Sequence, residues 1–398
     1  MVHVTSGSDA APGQRRTLAL LATAGFASSA NIRLFDSLLP QISLDFGVTA
    51  GEAARLAAAY ALSYGLFQVV MGPLGDRIGK YRLVRLLCLA SFATTLAGAL
   101  AATFGQLLLA RLLSGASAAA IVPLSIAWIG DTVPAARRPH VLAVFMSVML
   151  SGVTIGQVIG GFTGQWTDWR VAPALVALLF LGAGLALSFG RDNSAAEQPG
   201  GLSLARILRL PVDLLGRRWH RGVLLAVAIE GIGYCCMSFA GLLMAERFDT
   251  GLALVGAILA LYAVGGVFNP LMMRLMLPRL GQPRYFAMTS GLTALGLLIM
   301  ALTPLLWVVP VAVMLTGLGA AATHSALQGY GTQLVPEARS TGFGYFAMTF
   351  FLAQSLATAA LGVVADLTMI ALPFLIGAGA MLILGLWAPA RLGPLEDE

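Results

Sequence analysis

What most constrains this chain is a succession of apolar runs, each about twenty residues long, separated by short polar breaks. A helix of about that length spans the hydrocarbon of a bilayer, and only helices and closed barrels satisfy their backbones there. Twelve runs stand near 17–40, 52–71, 83–103, 106–128, 141–162, 171–190, 222–243, 252–273, 285–303, 305–330, 342–362 and 371–390. They account for the composition, 58% hydrophobic and 11% charged residues in 398, where a soluble domain carries about a quarter charged. A soluble enzyme and a disordered chain are both excluded on those grounds. The sequence predicts an all-α membrane protein of twelve transmembrane helices.

Basic residues set the expected orientation. Of the 24 Lys and Arg, 19 fall in breaks that share one side if the N-terminus is cytoplasmic, and only Arg170 and Arg247 lie in breaks on the other side. The positive-inside rule then places both termini in the cytoplasm, in a bacterial cytoplasmic membrane. The first run is too long for a signal-peptide core, so Ala22-Thr23-Ala24 is read as a chance match to a cleavage site. A net charge of +6 does not mark a nucleic-acid binder, because the basic residues occupy short loops without interleaved aromatics. Cys88, Cys235 and Cys236 all lie in apolar runs without metal-ligand spacing, so no metal is expected.

The longest polar break divides the spans six and six. The expected organisation is a cytoplasmic tail 1–16, a six-helix bundle 17–190, a cytoplasmic loop 191–221, a second bundle 222–390 and a cytoplasmic tail 391–398. The stretch from Leu202 to Trp219 alternates aliphatic residues with Arg and reads as a short helix on the membrane surface. The halves repeat at an offset of 202 residues: Gly115, Ala118–Ala120 and Val133-Pro134-x-Ala136-Arg137 recur as Gly317, Ala320–Ala322 and Val335-Pro336-x-Ala338-Arg339. The same offset carries Arg77, Gly79 and Arg82 onto Arg279, Gly281 and Arg284. An even number of spans per half makes these parallel repeats, two six-helix bundles around a central cavity.

With these features on the page, the chain resembles the major facilitator superfamily over essentially its whole length. The segment Gly72-Pro73-Leu74-Gly75-Asp76-Arg77-Ile78-Gly79-Lys80-Tyr81-Arg82 is similar to that family's signature between its second and third helices. The resemblance implies a gating loop of Gly72, Gly75, Asp76, Arg77, Gly79, Lys80 and Arg82, latched in the outward-facing state. Pro278 stands where Asp76 maps in the second half, so the latch is expected on one side only. Arg111-Leu112-Leu113-Ser114-Gly115 looks like the intramembrane arginine motif of proton-coupled branches. Gly152-x3-Gly156-Gln157-x2-Gly160-Gly161 is similar to the antiporter glycine motif, with Gln157 where that motif carries proline. Asp36-x2-Leu39-Pro40 followed by Asp45-Phe46-Gly47 resembles the first-helix end of bacterial drug and metabolite exporters.

Charged side chains inside spans are costly and mark function by default. Here they are Arg33, Asp36, Arg111 and Glu230, with His324 alongside. Ser29, Arg33, Asp36 and Pro40 fall on one face if the first run is one continuous helix. Asp36 is thus a candidate proton carrier tuned by Arg33 and Arg111, or half of a permanent Arg–Asp bridge between the first and fourth spans. Glu230 is a candidate second proton site or a binder of a cationic group, unless it snorkels at a helix end. Tyr234 and Met237 share its stripe. Tyr262 with Asn269, His324 with Gln328, and Phe346 with Phe350 form further candidate cavity stripes, with Gln157 added from the glycine motif.

Together these features imply a secondary active transporter of a small organic solute, not an enzyme. It is expected to act as a monomer in the lipid bilayer, without a cofactor, driven by a transmembrane ion gradient of protons. The resemblance favours efflux of drugs or metabolites. Uptake of a small nutrient such as a vitamin, sugar or organic acid is the alternative with the same fold, and a non-transporting membrane sensor the alternative of another class.

Overall fold

The computed structural model describes residues 12–134, 136–189, 209, 213–335 and 339–392. All regular structure among them is helical. The first half contains α1 (Pro12–Arg33), α2 (Leu39–Phe46), α3 (Ala50–Ile78), α4 (Lys80–Ala99), α5 (Phe104–Ala118), α6 (Ile121–Thr132), α7 (Arg138–Trp166) and α8 (Val171–Ser188). The second contains α9 (Arg218–Cys235), α10 (Ala240–Phe248), α11 (Leu252–Val267), α12 (Asn269–Leu302), α13 (Val309–Gln333), α14 (Arg339–Leu367) and α15 (Leu372–Leu392).

Ten of the described helical stretches are long and apolar enough to cross a membrane. The expected twelve are completed by α11, which is apolar but only 16 residues long, and by the first span, whose Asn31 and Arg33 dilute its apolar character. Several boundaries differ from expectation. Helix α1 already includes 12–16 of the expected tail, and α15 runs on to Leu392. Most of the expected surface helix between Leu202 and Trp219 lies outside the described residues.

Four spans are broken where the sequence reads as continuous, one of them, the eighth, at Phe268 between α11 and α12. The first stops at Arg33 and resumes at Leu39 after a turn closed by Asp36 N–H to Arg33 O and Leu38 N–H to Phe35 O. Pro40 lacks the N–H that would bond the Asp36 carbonyl, so the helix ladder cannot run through this point. The stripe expected from Ser29 to Pro40 is therefore interrupted at Asp36. The fourth span breaks at Ala119–Ala120, and the seventh passes through a 3₁₀ turn, Cys236–Phe239, between α9 and α10.

The internal repeat is visible in backbone detail. Gly79 (φ +94°) separates α3 from α4, and its repeat mate Gly281 (φ +72°) kinks α12; both conformations are ones a side chain disfavours. Gly115 on α5 lies against the Tyr60 carbonyl of α3, and 202 residues on Gly317 on α13 lies against the Tyr262 carbonyl of α11. The halves meet along two crosswise contacts, α3 with α14 and α7 with α11. These exchange under the repeat, as a two-fold arrangement of the bundles requires. Small residues allow the approach: Gly161 faces Gly256, and Gly51 faces Gly362.

Candidate functional site

The residues flanking the break in the first span form the centre of the molecule. Arg33 Nη1 donates to Asp36 Oδ2 at 2.8 Å, with the two residues 3% and 1% exposed. The guanidinium lies 4.2 Å from the ring centroid of Tyr234 on α9, across the boundary between halves. The freed Asp36 carbonyl points at Gly241 of α10, where any side chain would collide with it. The first and seventh spans thus meet break to break.

Arg111, expected to tune Asp36, makes its hydrogen bonds to Asn31. Its Nη1 donates to the Asn31 carbonyl at 3.2 Å and to Asn31 Oδ1 at 3.1 Å, and its guanidinium lies over Phe35 and Tyr60, 4.5 and 4.2 Å from their centroids. Asn31 in turn donates to Ser114 Oγ at 2.8 Å and Thr95 Oγ1 at 3.3 Å. The expected bridge between the first and fourth spans exists as an arginine–asparagine–aromatic cluster, while the Arg33–Asp36 pair is internal to the first span. Asn31 and Tyr60 carry this cluster. Neither charge nor motif marked them in the sequence; an asparagine two residues from an intramembrane arginine was the one available signal.

Glu230 lies twelve residues into α9, about 18 Å along the helix, and is 3% exposed. It does not snorkel. His324 of α13 faces it, with Nδ1 3.1 and 3.2 Å from the two carboxylate oxygens. The imidazole also meets Phe350 and Phe346 of α14, at 4.9 and 5.4 Å between ring centroids. Phe350 is 5.1 Å from Tyr234, and Tyr234 is 5.7 Å from Tyr262 of α11. Gly231 permits this, because a side chain there would strike the Phe350 carbonyl. A continuous string of rings therefore joins Glu230 and His324 to Arg33 and Asp36.

The remaining candidates divide. Met237 is buried in the 3₁₀ turn and Gln157 is buried where α7 meets α1, its carbonyl accepting from Ser37 at 3.0 Å. Asn269 lies away from the ring string and ties α12 to α13 through Ser325 Oγ at 2.9 Å; Gln328 is half-buried on α13. Several buried polar atoms around the centre have no protein partner: Arg33 Nη2, Arg111 Nε, Tyr60 Oη, Gln157 Oε1, Ser238 Oγ and Gln354 Oε1. Buried polar groups are normally bonded, and among the described residues these six atoms find no protein partner.

The expected gating loop is mostly helix. Helix α3 continues through Gly72, Gly75, Asp76 and Arg77 to Ile78, and Gly79 alone makes the turn into α4, which begins at Lys80 and includes Arg82. The reason is packing: Gly75 admits Leu124 of α6, which holds the end of α3 against the bundle. Lys80 pairs with Asp131 at the end of α6. The side chain of Asp76 lies outside the described residues.

At the opposite end of α3 the halves are bonded together. Asp366, near the end of α14, accepts from Thr49 Oγ1 at 2.6 Å and from Gly51 N–H at 2.8 Å. A family description of the Major Facilitator Superfamily matches residues 21–358. The chain belongs to the major facilitator superfamily. It is a multi-pass membrane transporter of that family, whose members move solutes rather than catalyse reactions. It is 27% identical over 324 residues to the MFS-type transporter YceJ of Bacillus subtilis, covering 77% of this chain and 78% of that one. A chloramphenicol resistance protein of Pseudomonas aeruginosa is 24% identical, over 72% of this chain and 68% of that one. In three dimensions the chain is similar to the nucleoside transporter NupG, with TM-score 0.79 and 13% identity over 95% of this chain and 100% of that one. It is similar as well to an inward-facing bacterial homologue of the lysosomal transporter Spinster, with TM-score 0.73 and 15% identity over 96% of each chain.

Proposed function

We propose that this superfamily member exports drugs or metabolites across a bacterial cytoplasmic membrane in exchange for protons, as a monomer with both termini in the cytoplasm. The observation that carries the reading is the sealed centre. Two carboxylates, Asp36 and Glu230, lie buried beside unpartnered polar atoms at the meeting of two repeat-related bundles. A polar site that is closed between two halves must be opened alternately if it is to serve a solute. With basic residues inside, the Thr49–Asp366 end faces out, and the conformation is the one closed to the outside. The ion gradient supplies the energy, because a change of protonation at a buried titratable group changes the cost of closing the site around it. The direction is supported by the relatives, among them the chloramphenicol resistance protein, a puromycin resistance protein of Streptomyces alboniger and the multidrug efflux pump LfrA of Mycolicibacterium smegmatis.

Chloramphenicol flux in membrane vesicles tests the reading. Inverted vesicles with an acidic interior should accumulate the drug, and collapsing the pH gradient should abolish the accumulation. Drug accumulation driven only by an acidic exterior in right-side-out vesicles would replace export by proton-coupled uptake.

A further inference from the structure

The centre holds two carboxylates, and their partners differ in kind. Asp36 accepts from Arg33, three residues earlier in the same segment. An arginine does not give up its proton in a protein, and this one is carried with Asp36 whichever way the bundle rocks. Asp36 thus keeps a fixed cation within its own segment. Glu230 is in hydrogen-bond contact with a histidine on another helix, Nδ1 lying 3.1 Å from its Oε1. Histidine is the side chain that changes charge in the physiological range, and α9 and α13 can move relative to each other.

We propose that the Glu230–His324 pair, rather than Asp36, holds the coupling proton, with His324 Nε2 as the atom that takes it up and releases it. This rests on the proton-coupled reading above. The assignment to Nε2 follows from donor and acceptor chemistry. An ionised carboxylate only accepts, so the Nδ1 that faces both Glu230 oxygens carries a hydrogen in either charge state of the ring. Nε2 then binds one proton to give imidazolium beside carboxylate, and loses the same proton to leave neutral imidazole still bonded to Glu230. No other bond is made or broken. Access fits the role, since the His324 side chain is 32% exposed against 4% for Glu230.

Among the described residues, the ionisable groups facing the pair are Tyr234 on α9 itself, Tyr262 on α11 and, through Tyr234, Arg33 and Asp36 of the first span. Helix α12 meets α13 beside His324 through Thr289 and Ser290 at Thr323 and Asn269 at Ser325, none of which ionises. Helix α14 brings Phe346, Phe350 and Gln354, and α15 packs on α9 through Met381 and Gly377; none of these ionises. The proton's effect is transmitted along the same contacts. His324 touches Phe350 of α14, and α14 lies along α3 of the other half. A change in the charge or tilt of the imidazole therefore acts directly on one of the two seams on which the bundles rock.

Two measurements on the full-length protein test the assignment. In lipid, ¹⁵N-histidine spectra with the His324 signal identified by His324→Gln should show Nδ1–H in the neutral ring and a change of protonation at Nε2 between about pH 5 and 9. The Glu230→Gln variant should have a different titration curve. In proteoliposomes with radiolabelled chloramphenicol, the ratio of gradient-driven uptake to one-for-one exchange should fall about tenfold or more in Glu230→Gln and in His324→Gln. Asp36→Asn, whatever it does to the exchange rate itself, should retain an excess of gradient-driven uptake over exchange. The proposal is overturned if His324 holds one protonation state throughout, if Glu230→Gln leaves its titration unchanged, or if Asp36→Asn alone loses the gradient response. Wild-type protein that neither exchanges nor accumulates chloramphenicol would sink the export reading, and the histidine spectra would then decide the proton site by themselves.

Discussion

Arg33 and Asp36 show what part of a buried charge is legible from its position in a sequence. That both lie inside a span could be read directly, because charge is so scarce in this chain. That Arg33 would sit near Asp36 is legible too, since residues three apart share a helix face; the turn that seats the pair is not. The turn that Pro40 forces closes the pair within one segment. Arg111 is a similar case: its ring partners Phe35 and Tyr60 come from two other elements, and only packing brings them together. The buried pair makes a sharp prediction. Arg33→Met leaves an uncompensated carboxylate and should destabilise the protein by about 3–5 kcal/mol, whereas Arg33→Met combined with Asp36→Leu should recover most of that loss. Thermal unfolding in detergent reads the difference. Two equal losses would mean that the pair contributes more by its shape than by its charge. Arg111→Lys should cost about 1–2 kcal/mol in the same assay, because an ammonium cannot lie flat between two rings and bond Asn31 at once.

At the scale of elements, the existence and order of the spans followed from hydrophobic run length, and the repeat from a fixed offset. What sequence pattern missed were the breaks inside spans and the helix inside a supposed loop. Gly72 to Arg77 reads as a turn because it holds glycine, proline and charge, yet α3 passes through it. The small Gly75 is there to admit Leu124, not to bend the chain. Glycine's two roles can be separated by substitution. Gly79→Ala and Gly281→Ala force a side chain into positive φ and should each cost about 1–2 kcal/mol. Gly317→Ala drives a methyl into the Tyr262 backbone and should cost about 1–3 kcal/mol through overpacking. Gly379 is helical with open space around it, so Gly379→Ala should instead gain about 0.5–1 kcal/mol. A stability series that failed to order these four variants in that way would contradict the packing described for the repeat.

For the molecule as a whole, function requires that the seal between halves be strong enough to form and weak enough to break. Among the described residues a charged group crosses it at Asp366, and the repeat shows that this contact is one-sided. At the 202-residue offset Thr49 maps to Gly251 and Asp366 to Gly164, so no carboxylate stands at the related position, and the neighbouring uncharged amide of Gln165 meets Gly251 instead. Asp366 takes two hydrogen bonds at the N-terminus of α3, where the helix dipole also favours a negative charge. Hydrogen bonds to a charged group contribute about 1.5–3 kcal/mol, so losing this contact should change the ratio of closed to open molecules about tenfold or more. The contact crosses from one bundle to the other, so its loss should leave each bundle folded and change only their relation. Spin labels at Leu44→Cys and Met369→Cys, both exposed and on opposite halves, report that relation; the three native cysteines are buried and do not compete for label. In the original protein the distance distribution should be dominated by a single short component. Asp366→Ala should transfer population to a longer one, and Thr49→Val, which removes one of the two bonds, should transfer less. If the distribution is the same in all three proteins, the closed state is held by the glycine seams Gly51–Gly362 and Gly161–Gly256 alone, and the carboxylate has no part in setting which side is open.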